Sequence, residues 1–222
     1  MVRRLMIAVL LLGASCAWAG QPPGTFEVGV RLGLFANTNN ELAVDDAGLE
    51  VFVNSRNVYA EGFAAYYLLQ PLALVANLGS YSKGDIRFVG YDVAYGGVRT
   101  FFGSANIYPI QIGLRLDPFE RHLPGGLSPY LEGGGALIVG RESVSQLYYD
   151  TFSNSFVDGT IESEIDWNWW AGFGAGLPLS EKFRLDFMVK YIATEFDGDI
   201  AGLTEFSGWQ VTFGVGYLAA VK

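Results

Sequence analysis

The strongest constraint on this chain is an alternation of apolar and polar residues at every second position. In residues 26–34 every even position is apolar, and the odd positions hold Glu, Gly, Arg and Gly. A period of two belongs to a β-strand whose two faces meet different surroundings. The sequence therefore predicts two-faced strands rather than helices. The same pattern recurs in residues 108–117, 165–177, 183–191 and 209–217.

Three further segments are strand-like, but their two faces are harder to tell apart. They span residues 57–69, 71–81 and 128–141, where Ala and Gly occupy both faces. Together the segments predict about eight strands of roughly 10–14 residues, longer than the ~5–6 of ordinary strands and close to the ~9–11 that cross a membrane. No segment after residue 20 has a helical period. The predicted fold class is therefore all-β.

The connections between the predicted strands alternate between long and short. The short ones are residues 70–71, 118–127 and 178–181, and the long ones are residues 36–56, 82–104, 142–163 and 195–206. Long loops at one rim and short turns at the other are typical of an outer-membrane barrel with its N-terminus in the periplasm. The long loops are acidic, and their carboxylates are Glu41, Asp45, Asp46, Glu50, Glu142, Asp150, Asp158, Glu162, Asp197, Asp199 and Glu205.

Alternation alone fits either a soluble lipocalin-like barrel, apolar inside, or a membrane barrel, apolar outside. The polar face here is rich in Gly, which weakens a strand but suits a narrow interior that needs small residues. That face also carries both signs of charge, and charges inside a closed barrel have to pair. The sequence therefore predicts a charge network in the lumen, made of Glu27, Arg31, Arg115, Glu132, Asp166, Arg184, Asp186 and Lys190.

Aromatic residues on the apolar face fall at two heights. If the first strand runs outward, one band lies near the periplasmic rim and the other near the outer rim. Two such girdles mark the interfaces of a membrane barrel, so the membrane barrel is favoured and a soluble periplasmic ligand binder remains the alternative. The inner band is Phe26, Phe183 and Tyr217, and the outer band is Tyr108, Trp167, Trp169, Tyr191 and Trp209.

The N-terminus predicts export. Two arginines, Arg3 and Arg4, precede an apolar run, and small residues follow up to Ala19. This is the pattern of a secretory signal peptide, so we expect residues 1–19 to be cleaved and residues 20–222 to form the barrel domain. An uncleaved anchor and a lipoprotein acylated at Cys16, the single cysteine, are the alternatives. The formal net charge of −9 argues against a nucleic-acid partner.

Two segments carry a resemblance to a known family. Residues 128–136 are similar to a recurring strand-five pattern of small eight-stranded outer-membrane barrels of the OmpA/OmpW type, which residues 25–219 resemble as a whole. Residues 209–217, with Thr212, Gly214 and Tyr217, resemble the C-terminal strand signal read by the outer-membrane assembly machinery. The resemblance implies a closed, antiparallel, up-and-down barrel in the outer membrane of a Gram-negative-type bacterium. It also implies that outer-membrane lipids, lipopolysaccharide and the assembly machinery are its partners.

The sequence offers few residues for catalytic chemistry. The single histidine, His122, lies in a predicted turn, and no predicted strand carries the His that lipid A deacylases of this fold use. A general base needs a nucleophile and an orienting group beside it, so we expect no enzyme and no cofactor. Residues 197–199 and 162–166 could contact divalent cations through carboxylates, although a solvated charge run is the simpler interpretation. No transition-metal site is expected.

Two functions remain for such a barrel. One is a structural or surface-exposed role, with a side-chain-filled lumen and acidic extracellular loops. The other, implied by OmpW-type barrels, is a narrow conduit for small apolar molecules. The conduit would need an apolar pocket inside the lumen, and ordinary lumen filling explains the candidate residues more simply. Those candidates are Tyr59, Phe63, Tyr67 and Trp170.

Overall fold

The computed structural model describes most of the predicted barrel domain. The predicted signal peptide lies outside the described residues, as do Cys16, His122 and, among the acidic loop residues, Glu41, Asp45, Asp46, Asp158 and Glu162. The described ranges are 21–38, 50–52, 56–92, 97–117, 126–145, 149–150, 155–156, 163–200 and 203–220.

Eight long strands form one closed antiparallel barrel. Each pairs with its neighbour in the chain, and the first pairs with the last, so the ring has no free edge. The long strands are β1 (Thr25–Asn37), β3 (Arg56–Leu69), β4 (Leu72–Asp92), β5 (Gly97–Leu116), β6 (Ser128–Ser145), β9 (Ser163–Pro178), β10 (Phe183–Ile192) and β13 (Gly208–Ala220).

Short strands lie at the loop end of the barrel. β2 (Glu50–Phe52) extends the sheet beside β4, and β7 (Tyr149–Asp150) pairs with β8 (Ser155–Phe156). β11 (Glu195–Ile200) and β12 (Leu203–Glu205) form a separate hairpin between β10 and β13. Among the described residues there is no helix of the length and hydropathy needed to span a membrane.

The apolar face of the alternation lies on the outside of the barrel. Val30, Leu32 and Phe213 are 64%, 63% and 66% exposed, whereas the alternating positions between them face the lumen. This is the reverse of a lipocalin, whose apolar face surrounds a ligand. A closed ring with an apolar exterior is the arrangement that hydrocarbon requires, because lipid cannot hydrogen-bond a free strand edge.

The aromatic residues of both predicted girdles lie on the outer face. At the outer rim, ring centroids are 5.5 Å apart between Trp169 and Tyr191 and 5.3 Å apart between Tyr191 and Trp209. At the inner rim, Phe183 and Tyr217 lie 5.4 Å apart edge to face. Neighbouring strands therefore bring the girdle residues into contact with one another. Phe26, Tyr108 and Trp167 are likewise exposed on the outer face.

Each of the four long loops predicted from sequence contains strand residues, and for two of them the prediction is wrong over most of the loop. Residues 82–104 were expected to be a long loop, but β4 continues to Asp92 and β5 begins at Gly97. The register between the two strands shifts between Lys83 and Ile86, and a strict period of two does not continue across such an irregularity. Residues 195–206, also expected to be a loop, contain the β11–β12 hairpin.

Candidate functional site in the barrel lumen

Arg31 lies at the centre of the charged inner half of the lumen. Its side chain is fully buried, and it donates to Glu61 Oε1 at 2.7 Å and to Asp186 Oδ1. Its guanidinium carbon also lies 3.9 Å from the ring centroid of Phe63. The inner-face positions of β1, β3 and β10 place these groups together. Arg31 is opposite Glu61 on β3, and only β13 separates it from Asp186, because Arg31 and Asp186 both pair with Gly214.

Arg115 forms a second ionic centre nearer the inner rim. It donates to Glu132 Oε1 at 2.6 Å and to Glu27 Oε2 at 2.7 Å, and all three side chains are fully buried. Charge-assisted hydrogen bonds of this length are the strong ones. Breaking such a buried pair leaves an uncompensated charge in a low-dielectric interior. The two centres are linked by Tyr130, whose hydroxyl donates to Asp186 Oδ2 at 2.7 Å.

Lys190 and Arg184 complete the network in different ways. Lys190 Nζ donates to Glu61 Oε2 and, at 2.6 Å, to Gln111 Oε1. Arg184 lies 3.7 Å from Glu27 Oε2 and 3.9 Å from Asp186 Oδ2. Within the described part of the chain, no guanidinium nitrogen of Arg184 has a hydrogen-bond partner. Arg184 is therefore held by longer-range attraction and Arg115 by direct bonds.

The structure brings together most of the charged residues proposed for the lumen, with one exception. Asp166 faces inward but lies towards the outer end, opposite Ile138, and accepts hydrogen bonds from the Trp167 backbone N–H and Asn168 Nδ2. Asp166 does not join the network because it lies farther along β9 towards the outer end than Gly172, which is the partner of the network residue Glu132. The residues that do come together are Glu27, Arg31, Arg115, Glu132, Arg184, Asp186 and Lys190.

Sequence reasoning missed three members of this network. Glu61 lies in segment 57–69, where alanines and a glycine hid the inner face, although its odd-numbered position matches that of Tyr59. Asp117 accepts a hydrogen bond from the Tyr67 hydroxyl at 2.7 Å. Tyr130 bonds Asp186, and its ring centroid lies 4.3 Å from the Arg115 guanidinium carbon. Each of the three has the same parity as a residue that the sequence had placed in the lumen: Glu61 that of Tyr59, Asp117 that of Arg115, and Tyr130 that of Glu132.

The outer half of the lumen is mainly apolar and aromatic. Phe35 stacks on Tyr81 with centroids 4.0 Å apart, and Tyr59 lies beside both rings. The lumen thus changes character with height, from an ionic inner half to an apolar outer half. Its other fully buried apolar side chains are Ala105, Ile107, Ala136, Ile138, Met188 and Ile192.

The four residues suggested for an apolar pocket face the lumen but do not form one pocket. Tyr59 donates to Glu61 Oε2, and Phe63 lies against Arg31. Tyr67 is at the inner end, bonded to Asp117. Trp170 donates from Nε1 to the Gly135 carbonyl at 3.1 Å. The four are spread along the barrel, and each fills its own part of the lumen.

The β11–β12 hairpin covers the outer end of the lumen. Phe196 and Phe206 pack edge to face at 5.7 Å, and with Ile200 they are almost fully buried. The Tyr81 hydroxyl donates to the Phe206 carbonyl at 3.1 Å, and Lys83 Nζ to the Glu205 carbonyl at 3.3 Å. The outer mouth is thus closed by apolar side chains of the chain itself. In the part of the chain that the structure describes, no group of three or more His, Cys, Asp or Glu is placed to hold a metal ion.

A substitution at Gly174 tests how tightly the network is packed. A Cβ added there would overlap the ring and hydroxyl of Tyr130, so Gly174→Ala should push Tyr130 away from Asp186. We expect the free energy of unfolding to fall by about 1–3 kcal/mol, the usual cost of overpacking. The measurement is urea-induced unfolding in lipid vesicles. Gly135→Ala is the matched control, because its Cβ would meet no atom within 4 Å; equal losses in the two variants would contradict the packing described.

No protein-family model matches the sequence, and no curated protein matches it either. Solved structures do match. The outer membrane protein OprG from Pseudomonas aeruginosa has a TM-score of 0.59 at 12% identity, over 91% of this chain and 99% of that one. Ail, the attachment invasion locus protein of Yersinia pestis, has a TM-score of 0.51 at 12% identity, over 89% and 99%.

A third solved structure also matches this chain. Neisserial surface protein A has a TM-score of 0.50 at 12% identity, over 87% of this chain and 96% of that one. At such low identity the likeness concerns the fold alone. It confirms the resemblance drawn from sequence, since the chain has the closed eight-stranded fold of small outer-membrane barrels.

Proposed function

We propose that this chain is an integral outer-membrane barrel whose lumen is closed by its own side chains, with a structural or surface-exposed role. The observation that carries the proposal is the buried network around Arg31 and Arg115, which crosses the inner half of the lumen. A diffusion pore needs a water-filled path, and such a path would hydrate these pairs. The exposed apolar belt and the paired girdle aromatics support insertion into a bilayer.

Export and partners are part of this proposal. Residues 1–19 would direct secretion and be removed, so mass spectrometry of the exported protein should give a chain beginning at Gly20. The assembly machinery would insert the barrel, and lipids and lipopolysaccharide would surround it. Outward-facing carboxylates such as Glu195 and Asp197 are exposed. They could contact the divalent cations that bridge lipopolysaccharide phosphates.

Planar-bilayer recording tests the closed lumen. We expect the refolded mature chain to insert and to show no steady ion conductance, because the paired side chains of Arg31, Arg115 and their carboxylate partners are fully buried and fill the inner half of the lumen. The double variant Arg31→Ala with Lys190→Ala removes two cations that bind Glu61, and it should give discrete openings if it folds. A steady conductance of the unmodified chain would contradict the proposal, and failure to insert would contradict the membrane assignment.

The conduit for small apolar molecules is a second candidate. It is favoured by the apolar outer half of the lumen, where Ile107, Ile138 and Ile192 are fully buried. It requires an exit from that half, either sideways or inward. Measured uptake of a small apolar solute into vesicles containing the barrel, faster than into empty vesicles, would favour this candidate over the purely structural role.

A further inference from the structure

We propose that the β11–β12 hairpin is a lid over the outer end of the lumen, and that the charge on Lys83 sets the balance between its closed and open positions. The lid closes most firmly when Lys83 is neutral. This goes beyond the proposed function, because the ionic network closes the inner half of the lumen whether or not the outer end is open.

The hairpin is a separate unit that can move without breaking the barrel. β11 and β12 pair with each other, whereas the barrel ladder passes directly from β10 to β13. The hairpin joins the wall at a neck, where the Phe206 N–H donates to the Thr194 carbonyl and the Thr194 N–H donates to Ser207 Oγ. The Thr38 N–H donates to the Ser207 carbonyl at 2.9 Å. The neck is therefore fixed to β1 and stays in place when the rest of the hairpin moves.

Beyond the neck, the hairpin crosses the outer end of the lumen and contacts several strands. On the β9 side, its Glu195 carbonyl accepts a hydrogen bond from Asn168 Nδ2 at 3.3 Å. On the β6 side, Ile200 lies so close to the wall that a Cβ at Gly140 would overlap the end of its side chain. On the β4 side, Lys83 lies beneath β12. The closed hairpin therefore shields the groups below it from water.

Lys83 is a charged group that the closed hairpin buries. It is only 1% exposed, and its Nζ donates to the Glu205 carbonyl at 3.3 Å and lies 4.7 Å from the ring centroid of Phe206. Both of these contacts come from the hairpin and its neck. A main-chain carbonyl and an aromatic ring replace only part of the hydration of an ammonium. Opening the lid returns the ammonium to water, so a positive charge on Lys83 favours the open position.

The burial of Lys83 makes the balance depend on pH. Lys83 lies outside the membrane-spanning part of β4, because its partner Ala105 is beyond the girdle residue Tyr108 towards the outer end. Burial lowers the pKa of Lys83 to about 8, although the charge of Glu205 acts in the opposite direction. An exposed lysine has a pKa of about 10.4. The closed lid therefore binds the proton less well than the open lid, and raising the pH from 7 to 10 shifts the balance towards the closed position.

The other titratable groups around Lys83 keep their charge over this range. Carboxyl groups ordinarily lose their protons near pH 4. Tyr81, whose partner Ile107 is also beyond the girdle, is the phenol on the same strand, and burial raises its pKa above the ordinary value. Lys83 is therefore the group beside the hairpin whose charge changes between pH 7 and pH 10. The carboxylates that face the hairpin and Lys83 are Glu142 on β6, Glu164 and Asp166 on β9, and Glu205 on β12.

Labelling of a thiol beneath the lid tests the proposal. The predicted mature chain has no cysteine, because Cys16 lies in the predicted signal peptide. Ile138→Cys places a single thiol one inner-face position below Gly140, the residue against which the hairpin packs. The full mature chain in phosphatidylcholine nanodiscs is treated with a cationic methanethiosulfonate reagent at pH 7 and at pH 10. Its rate is divided by that of Thr204→Cys, on the exposed surface of the hairpin, to remove the effect of pH on the thiol itself.

We expect the relative labelling rate to be about tenfold lower at pH 10 than at pH 7. Adding Lys83→Met removes the ammonium, so the relative rate should already be about tenfold lower at pH 7 and should not change with pH. Lys83→Arg keeps its charge at both pH values, so the relative rate should stay high at pH 10. Lys182→Met is the matched control, because it removes an exposed lysine at the inner rim and should leave the rates unchanged. Heat-dependent gel mobility checks that each variant is folded.

Several results would overturn the proposal. Faster labelling in the Lys83→Met variant at pH 7 would mean that the ammonium holds the lid closed. A pH dependence that survives in Lys83→Met or Lys83→Arg would mean that another group titrates. No labelling of Ile138→Cys at either pH, with Thr204→Cys labelled normally, would mean that the hairpin does not open. A steady ion conductance would contradict the proposed function alone, because the labelling rates report on the outer end of the lumen.

Discussion

Replacing Arg115 by Met is expected to lower the free energy of unfolding of the barrel by about 3–5 kcal/mol. Arg115 bonds Glu27 and Glu132 at 2.7 and 2.6 Å, and none of the three side chains reaches solvent. Met keeps most of the side-chain length and removes the charge. The carboxylates of Glu27 and Glu132 then lose the positive charge that balanced them. Because both are fully buried, water cannot replace the lost guanidinium.

Arg184→Met is the matched control. Arg184 is as deeply buried, but its nearest carboxylate oxygens are 3.7–4.0 Å away and it makes no hydrogen bond to a described residue. Its replacement should cost clearly less than that of Arg115. Adding Glu132→Gln to Arg115→Met should give less than the sum of the single losses, because the two residues share one bond. Urea unfolding in vesicles measures the unmodified chain, the three single variants and the double variant, and equal losses for the two arginines would contradict the network as described.

Ile112→Arg is expected to cost about 2–4 kcal/mol of unfolding free energy, and Leu116→Arg about 0–1 kcal/mol. Both residues lie on the outer face of β5, but Ile112 is near mid-height, between Tyr108 in the outer girdle and the inner rim at Leu116. A guanidinium at mid-height has to be dehydrated or must thin the bilayer locally. At the rim it reaches the headgroups and stays hydrated.

The difference between these two variants tests the membrane position of the barrel rather than its packing. Both positions are exposed, so neither substitution disturbs a packed interior. In vesicles the mid-height variant should be the less stable, and in a detergent that can deform around the charge the difference should shrink. A soluble barrel would show no dependence on height, and that outcome would remove the membrane assignment.

The alternation predicted most of the architecture because it is a local signal with a physical cause. Residues 26–34 alternate so strictly that their inner face, and with it Arg31, could be assigned from the amino-acid pattern alone. The same signal failed where the two faces differ little in composition, as around Glu61, and at the register shift between Lys83 and Ile86. Charge and parity located most of the network, but which partners meet depends on the register between strands, which no single strand encodes.

The β11–β12 hairpin, which folds into the lumen, could not be predicted from the sequence for a different reason. Residues 195–206 contain four carboxylates and resemble a polar loop, although Phe196, Ile200 and Phe206 recur among them. Whether such apolar residues face a membrane, a partner or the lumen depends on the space that is free at the outer end of the lumen. That space is set by distant residues such as Gly140, so only the assembled barrel shows where the loop goes.

The pairing of β1 with β13 has a consequence for how the protein is made. Thr25 is opposite Ala220 and Asn37 is opposite Gly208, so the seam of the ring joins the earliest and the latest strands to leave the ribosome. Until the last strand is available, the growing sheet has two open edges and an apolar face, which are the features that drive aggregation. Closing so long a loop is also slow. The ring can therefore close only after the last strand has been synthesised, and the unpaired edges are open to other chains until then.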